Sequence, residues 1–445
     1  MSKFIRIAFC LLIAALAAAC NDYGLTIHTD GAARGGGTRE RKVSEETRHV
    51  MLYYVAGYND LRNYLASDTQ DLLRSEWLPG DRRSDNVILV FSKLSATASN
   101  FTTPVQPVLF RVTAGDEGQA VCDTLKRWDS GLDAADPATL HEVLSYVKEH
   151  FPAAGYGMVF TSHATGWLPK GYYQHPVLNA SAGGLRSPAA EPVAFPKERD
   201  GDSPAVKSLG RDLGAGYAIR SEIELEKLAD AIPYKLDYLL IDACLMGGIE
   251  TAYALRGKCT LLGASQTEVL AEGYDYTTIA RALAGGTPDP RQVCEKFFTY
   301  YDGKTGTSRS ATISLINCDR LDGLADVCQT LFVKYRSRIA TLNASAVQPF
   351  GREHDGSAHP WFFDLQDILI QAGIDEAEKQ SLQEALDACV VYKAATPWFF
   401  EGHYSGFPIR AHCGLSMYLP SAGSRSLSNW YKQHISWNSA TKLVD

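Results

Sequence analysis

Five short segments of this chain are apolar from end to end, and longer amphipathic stretches separate them. His49–Ala56, Val87–Ser92, Gly157–Thr161, Leu236–Ile241 and Leu261–Ala264 are too short and too β-branched or aromatic for helices. A strand apolar on both faces must be covered on both faces, which is the condition of a parallel sheet between helical layers. The intervening stretches supply the helices. Asn59–Trp77 carries Leu61, Leu65, Leu72 and Leu73 at near-helical spacing, and Leu140–Phe151 places Val143, Leu144, Val147 and Phe151 on one face. Ser221-Glu-Ile-Glu has the form of a capping box opening another helix, and Met246–Leu255 reads as a further one. After about residue 277 helical periodicity dominates, with Ala311–Ile316 and Leu415–Leu419 as further strands. Pattern alone leaves open whether these extend the first sheet or form a second domain.

The ends of the chain carry other information. Lys3 and Arg6 precede an apolar run, Ile7–Ala19, too short for a convincing membrane span, which ends at Cys20. This has the form of a bacterial lipoprotein signal with Cys20 as the lipidated residue, although Leu16 stands one place further from the cysteine than usual. Residues 21 to about 48 are polar and Gly-rich, without apolar period, and read as a flexible tether. The net charge of −8 and the lack of a basic run with interleaved aromatics give no support for nucleic-acid binding. Beyond Cys20 the eight cysteines show no C-x-x-C spacing or His/Cys cluster, so no metal site is expected. Most sit in apolar runs, as small buried hydrophobes do.

The triplet Asp-Ala-Cys occurs twice, at 242–244 and 387–389. Around the second copy, Leu382, Leu386, Cys389 and Val390 follow helical spacing through Ser381–Tyr392, so Cys389 is expected to pack. The first copy follows the apolar run Tyr-Leu-Leu-Ile and falls just past the carboxyl end of an expected parallel strand. Open α/β sheets place their sites at that edge. His163 holds the same position after Gly157–Thr161. Neighbouring strands lie about 4.8 Å apart, so side chains at adjacent strand ends can meet, and a cysteine nucleophile needs such an acid/base partner.

Ser162-His-Ala-Thr-Gly-Trp167, Ile241-Asp-Ala-Cys-Leu-Met-Gly247, Gly263-Ala-Ser-Gln266, Glu272-Gly-Tyr-Asp-Tyr276, Phe363-Asp-Leu-Gln-Asp367 and Gly414-Leu-Ser-Met-Tyr-Leu-Pro420 together resemble, in this order, the clostripain family of cysteine peptidases. That family is related to caspases, gingipains and legumains. The resemblance implies an α/β fold: a caspase-like α/β/α sandwich with a mostly parallel central sheet, elaborated by a helix-rich C-terminal region. It implies Cys244 as nucleophile and His163 as acid/base, with backbone N–H groups of Cys244 and Ala164 as oxyanion donors and no third side chain. It makes Asp242 an S1 carboxylate for an incoming Arg or Lys, with Glu272 where relatives often carry a second acid. No cofactor is required by the pattern. Calcium, which some relatives use, is left open, and no EF-hand-like loop is present.

Two departures stand out. Ala164 replaces the usual glycine after the histidine, and the 81-residue separation from His163 to Cys244 is long because of a connection of roughly fifty residues between Trp167 and Ser221. Lys197, Arg199, Lys207 and Arg211 in that connection are candidate self-cleavage sites, as several relatives cut themselves there. The expected organisation is a signal peptide over 1–19, a tether over 20–48, a catalytic domain over 49–276 with an insertion at 168–220, and a C-terminal region over 277–445 completing the fold. The expected partners are a peptide or protein substrate and, through the lipid, a bacterial membrane. The outer membrane or cell surface is the expected location; oligomeric state stays open. The competing expectation is a peptidase-like lipoprotein that has lost activity and binds instead.

Overall fold

A computed structural model describes residues 49–80, 86–170, 211–213, 219–352 and 361–445. Cys20, Lys197, Arg199 and Lys207, with the signal and tether, lie outside the described residues. The strands are β1 His49–Gly57, β2 Asn86–Leu94, β3 Val108–Ala114, β4 Ala120–Arg127, β5 Gly155–Thr161, β6 Arg211–Leu213, β7 Ile219–Glu222, β8 Leu236–Asp242, β9 Cys259–Ala264, β10 Thr312–Asn317, β11 Phe363–Asp364, β12 Val390–Ala395, β13 Trp398–Phe399, β14 Phe407–Pro408 and β15 Ser416–Met417. Nine of them form one sheet in the order β12-β10-β9-β8-β5-β1-β2-β3-β4.

Its centre, β9-β8-β5-β1-β2, is parallel throughout, and these are the five apolar runs. β2 and β5 are buried along their whole length, so each Val, Ile, Leu, Met or Phe side chain there contributes on the order of 1.5–3 kcal/mol by leaving water. Antiparallel strands complete both sides: the hairpin β3–β4 beyond β2, and β10 with β12 beyond β9. Of the strands after residue 277, β10 and β12 thus join the first sheet, whereas β15, within the expected Leu415–Leu419, pairs with β11 in a separate two-stranded sheet, and β13 pairs with β14 in another.

Three local expectations are corrected. Ser221 does not cap a helix: it lies in β7, opposite Asp212 of β6, and the helix begins at Leu225 with Glu224 at its cap position. Strand pairing outcompetes the local capping pattern. The helix expected from Met246 starts at Ile249, because residues 243–247 form the turn that carries Cys244. The helix around Cys389 ends at that residue rather than at Tyr392, since the β-branched Val390-Val391 pair leads into β12. Cys389 is fully buried on the helix face and Asp387 is exposed, as their two-residue spacing on a helix demands.

The far end of the long connection is anchored. Lys93 of β2 and Asp212 of β6 form an ion pair at 3.2 Å with both side chains fully buried. Asp212 also accepts the Ala134 N–H at 2.8 Å. Burial pushes the Asp212 carboxyl up to about 6, against the opposing pull of Lys93.

A second buried acid yields a pH prediction. Glu250, in the helix Ile249–Leu255, accepts bonds from the Tyr418 N–H and the Tyr431 hydroxyl, both at 2.8 Å. Burial nevertheless raises its carboxyl to about 7. A folded-state value above the unfolded one means the folded state holds the extra proton between about 4.5 and 7. Stability contributed by this group is therefore lost as pH rises through that window. Glu250→Gln keeps an acceptor for both donors and cannot ionise. It is expected to stabilise the fold at pH 8 by about 1–3 kcal/mol, read as a higher melting temperature, and to leave the melting temperature little changed at pH 5; equal shifts at both pH values would refute this.

Candidate active site

β5 and β8 are neighbours, with Thr161 paired to Asp242 at their carboxyl ends. His163 and Cys244 each stand two residues beyond that pair. The register alone therefore brings the histidine and the cysteine to the same level at the carboxyl edge.

The cysteine turn is tightly built. Leu245, directly after Cys244, has φ of 62°, a left-handed conformation costly for a branched residue. The surroundings hold it there. Leu245 N–H donates to Thr267 O at 3.0 Å and Gly247 N–H to Ser265 O at 2.6 Å, while Gly247 O accepts the Ser416 N–H at 3.1 Å. The buried Gln266 amide donates to Gly247 O, Ser314 Oγ and Gly414 O, and its oxygen meets His412 Nε2 at 2.8 Å. The Ser265-Gln266 and Gly414–Pro420 motifs thus scaffold the turn that carries Cys244.

The histidine turn abuts it at Gly166, which has φ of 61°. A Cβ there would meet Leu245 O at 2.6 Å and the Phe362 ring at 2.7 Å. Gly166→Ala is therefore expected to push the two turns apart and lower kcat/KM by about 10²-fold, the cost of an ångström-scale misplacement. Unchanged kinetics on a basic fluorogenic peptide would refute this.

Cys244 is fully buried, and its Sγ accepts the Val269 N–H at 3.1 Å. His163 is 4% exposed, and its Nε2 lies 2.7 Å from Asp60 Oδ1. Asp242 is 1% exposed and accepts the Tyr276 hydroxyl at 2.7 Å. The backbone turns at 243–245, and Asp242 and Cys244 both contact the stretch Val269–Tyr276 that leads from β9 into the next helix. Glu272 is exposed on that stretch. Burial, then the charges of Asp242 and Glu272, hold the Tyr301 hydroxyl well above its ordinary pKa. The two acids therefore act on one wall.

A small cleft lies beside His163, lined also by Ala164, Leu168, Glu222, Leu225 and Met246. Cys244 is not part of its lining. Of the candidate cleavage sites only Arg211 falls among the described residues; it opens β6, next to the buried Asp212.

Two residues escaped the sequence reading. One is Asp60, whose signal was its position just past the carboxyl end of β1. The other is Glu268, buried and ion-paired with Arg352, which fixes the backbone beside Val269. Nothing in its sequence surroundings distinguishes it. Among the described residues, no cluster of His, Cys, Asp or Glu suits a metal ion, and no helix is long and apolar enough to cross a membrane.

Comparison with known proteins follows the geometry. The clostripain family model matches residues 198–443, more than half of the chain. A search of curated proteins found no significant match. An inactive zymogen C11 protease from Parabacteroides distasonis is similar in structure over 89% of this chain and 98% of its own, at 26% identity and a TM-score of 0.69. A secreted C11 cysteine protease from Bacteroides thetaiotaomicron shares the fold over 89% of this chain and 99% of its own, at 24% identity and a TM-score of 0.67. A C11 protease from the same organism, solved with an irreversible peptide inhibitor, shares it at 20% identity, a TM-score of 0.66, and coverage of 89% and 99%. With the caspase-like sheet in place and its motifs gathered at one edge, the chain belongs to the clostripain family of cysteine proteases.

Proposed function

We propose that this protein is an exported, lipid-tethered endopeptidase that cuts after Arg or Lys with Cys244 as nucleophile and His163 as acid/base. The observation that carries this is the shared register of the two residues past the Thr161–Asp242 pair, with a buried carboxylate one small residue before the cysteine. The Cys244 thiolate attacks the scissile carbonyl. Protonated His163 gives its proton to the leaving amine, and the thioester is then hydrolysed by water that His163 deprotonates. Backbone N–H groups of Cys244 and Ala164 receive the oxyanion. Such an acid/base contributes about 10²–10⁴ in rate. Asp242 pairs with the incoming guanidinium or ammonium, and Glu272 adds negative charge at the rim.

The enclosed thiol fits a latent form. Val269 must release Cys244 before substrate enters, and a cut in the long connection would supply the freedom to do so. Arg211 is the least favoured of the candidate sites, because cleavage there would have to pull Asp212 away from Lys93; Lys197, Arg199 and Lys207 remain the candidates. The same enclosure, with Ala164, is what favours the second reading, a peptidase-like binding module without turnover.

Hydrolysis of fluorogenic Arg and Lys peptides, with and without calcium, separates the two. Turnover together with labelling of Cys244 by a basic acyloxymethylketone supports the peptidase; absence of both, after limited proteolysis of the long connection as well as before it, supports the binding module. Cys20→Ser is expected to move the protein from the membrane fraction to the soluble one. Retention on the membrane would refute the lipid tether.

A further inference from the structure

His163 is held from behind. Its Nε2 and Asp60 Oδ1 are 2.7 Å apart, with the histidine side chain 5% and the aspartate side chain 45% exposed. Asp60 sits in the turn after β1, the strand parallel to β5 on the side away from β8. That turn is fixed. The buried Asn59 side chain donates to Ala56 O at 3.1 Å and accepts the Leu61 N–H at 3.0 Å. Asn59 O accepts the Ser95 hydroxyl at 3.2 Å, and Tyr58 O accepts the Leu213 N–H at 2.9 Å. The Ser162 hydroxyl donates to Ala56 O at 2.7 Å, tying the residue before His163 to the same turn.

We propose that Asp60 is a positioning residue for His163 and completes the hydrolytic array from the β1 side. The proposal rests on His163 being the acid/base, as above. A carboxylate only accepts hydrogen bonds, so a neutral imidazole bonded to it carries its proton on Nε2. Nδ1 is then the nitrogen that takes the thiol proton and passes it to the leaving amine. Asp60 keeps the Nε2–H bond throughout, stabilises the imidazolium while it exists and is not itself protonated. It acts through His163 and touches no substrate. Because the carboxylate is partly in water, its effect is that of an outer hydrogen-bonding partner, about 10–10²-fold.

The test uses full-length wild type, Asp60→Ala, Asp60→Asn and His163→Ala under identical activation. On a fluorogenic Arg peptide, Asp60→Ala is expected to lower kcat by about 10²-fold with KM within about twofold. Asp60→Asn, whose side-chain oxygen still accepts from Nε2–H, is expected to recover most of that loss. His163→Ala is expected to show no turnover. Full activity of Asp60→Ala beside an inactive His163→Ala overturns the role of Asp60 alone. Wild-type activity of His163→Ala overturns the acid/base reading beneath it. Equal losses in the Ala and Asn variants, or a loss confined to KM and melting temperature, make Asp60 merely structural and overturn the proposal. An independent readout is ¹⁵N-histidine NMR: an Nε2–H tautomer for neutral His163 in wild type that becomes mixed in Asp60→Ala is expected, and an Nδ1–H tautomer in wild type overturns it.

Discussion

Cys244→Ala is expected to abolish turnover of Arg and Lys peptides, with a loss of at least about 10⁴-fold that no added calcium restores, and to leave the chain uncut between His163 and Cys244. Removing a covalent nucleophile leaves only oxyanion and binding contributions, so losses of this size are general for such sites. The fold is expected to survive. Cys244 is a small buried side chain whose loss removes one sulfur and its weak bonds to the Val269 N–H and carbonyl. The melting temperature should therefore fall only slightly, which separates a chemical loss from a structural one. A gel comparing purified wild type and variant reads both properties at once. Two fragments from both proteins would mean that any cut is made by another protease. Residual turnover within tenfold of wild type would remove Cys244 from the mechanism. Cys389 is the internal control: it carries the same preceding letters on a helix, and its replacement should cost stability through packing while kcat is unchanged.

The contrast between those two triplets shows what a single sequence can disclose. The five parallel strands were legible because burial on both faces leaves mostly apolar letters in each of them. Their carboxyl ends, and hence His163 and Cys244, were legible with them. The hairpin β3–β4 was not. β4 reads Ala-Val-Cys-Asp-Thr-Leu-Lys-Arg and is half exposed at the sheet edge, and Arg111 interrupts β3, so neither presents an apolar run. Capping and helix-end signals at Ser221 and Val390 were locally sound and lost to non-local strand pairing. Within the candidate site, sequence reading reached only residues marked by their own stretch of chain. Asp60 and Glu268 act on partners distant in sequence, and spacing carries no trace of such contacts. The closure of Cys244 by a backbone N–H was equally illegible, since backbone donors have no letter.

Asp242→Asn is expected to lower kcat/KM for Arg substrates by about 10²–10³-fold and to change it little for peptides with an uncharged side chain at that position. The magnitude follows from burial. At 1% exposure, Asp242 would meet an incoming cation out of water, and losing one partner of such a pair typically costs several kcal/mol, far more than a surface pair. The amide keeps an oxygen able to accept the Tyr276 hydroxyl, so the pocket wall should hold and the loss is one of charge. Tyr276→Phe tests that separation. It removes a single bond to the carboxylate at 2.7 Å and leaves the charge, so a loss of about tenfold is expected, in keeping with one hydrogen bond to a charged group. Glu272 supplies the third arm. Exposed and one methylene longer than aspartate, it is screened by water, and Glu272→Gln should shift the ratio of Arg to Lys turnover by less than about tenfold. A retained preference for basic substrates in Asp242→Asn, combined with its loss in Glu272→Gln, would reverse the assignment. Specificity would then lie on the exposed rim of the Val269–Tyr276 stretch rather than at the end of β8, the strand that leads into Cys244.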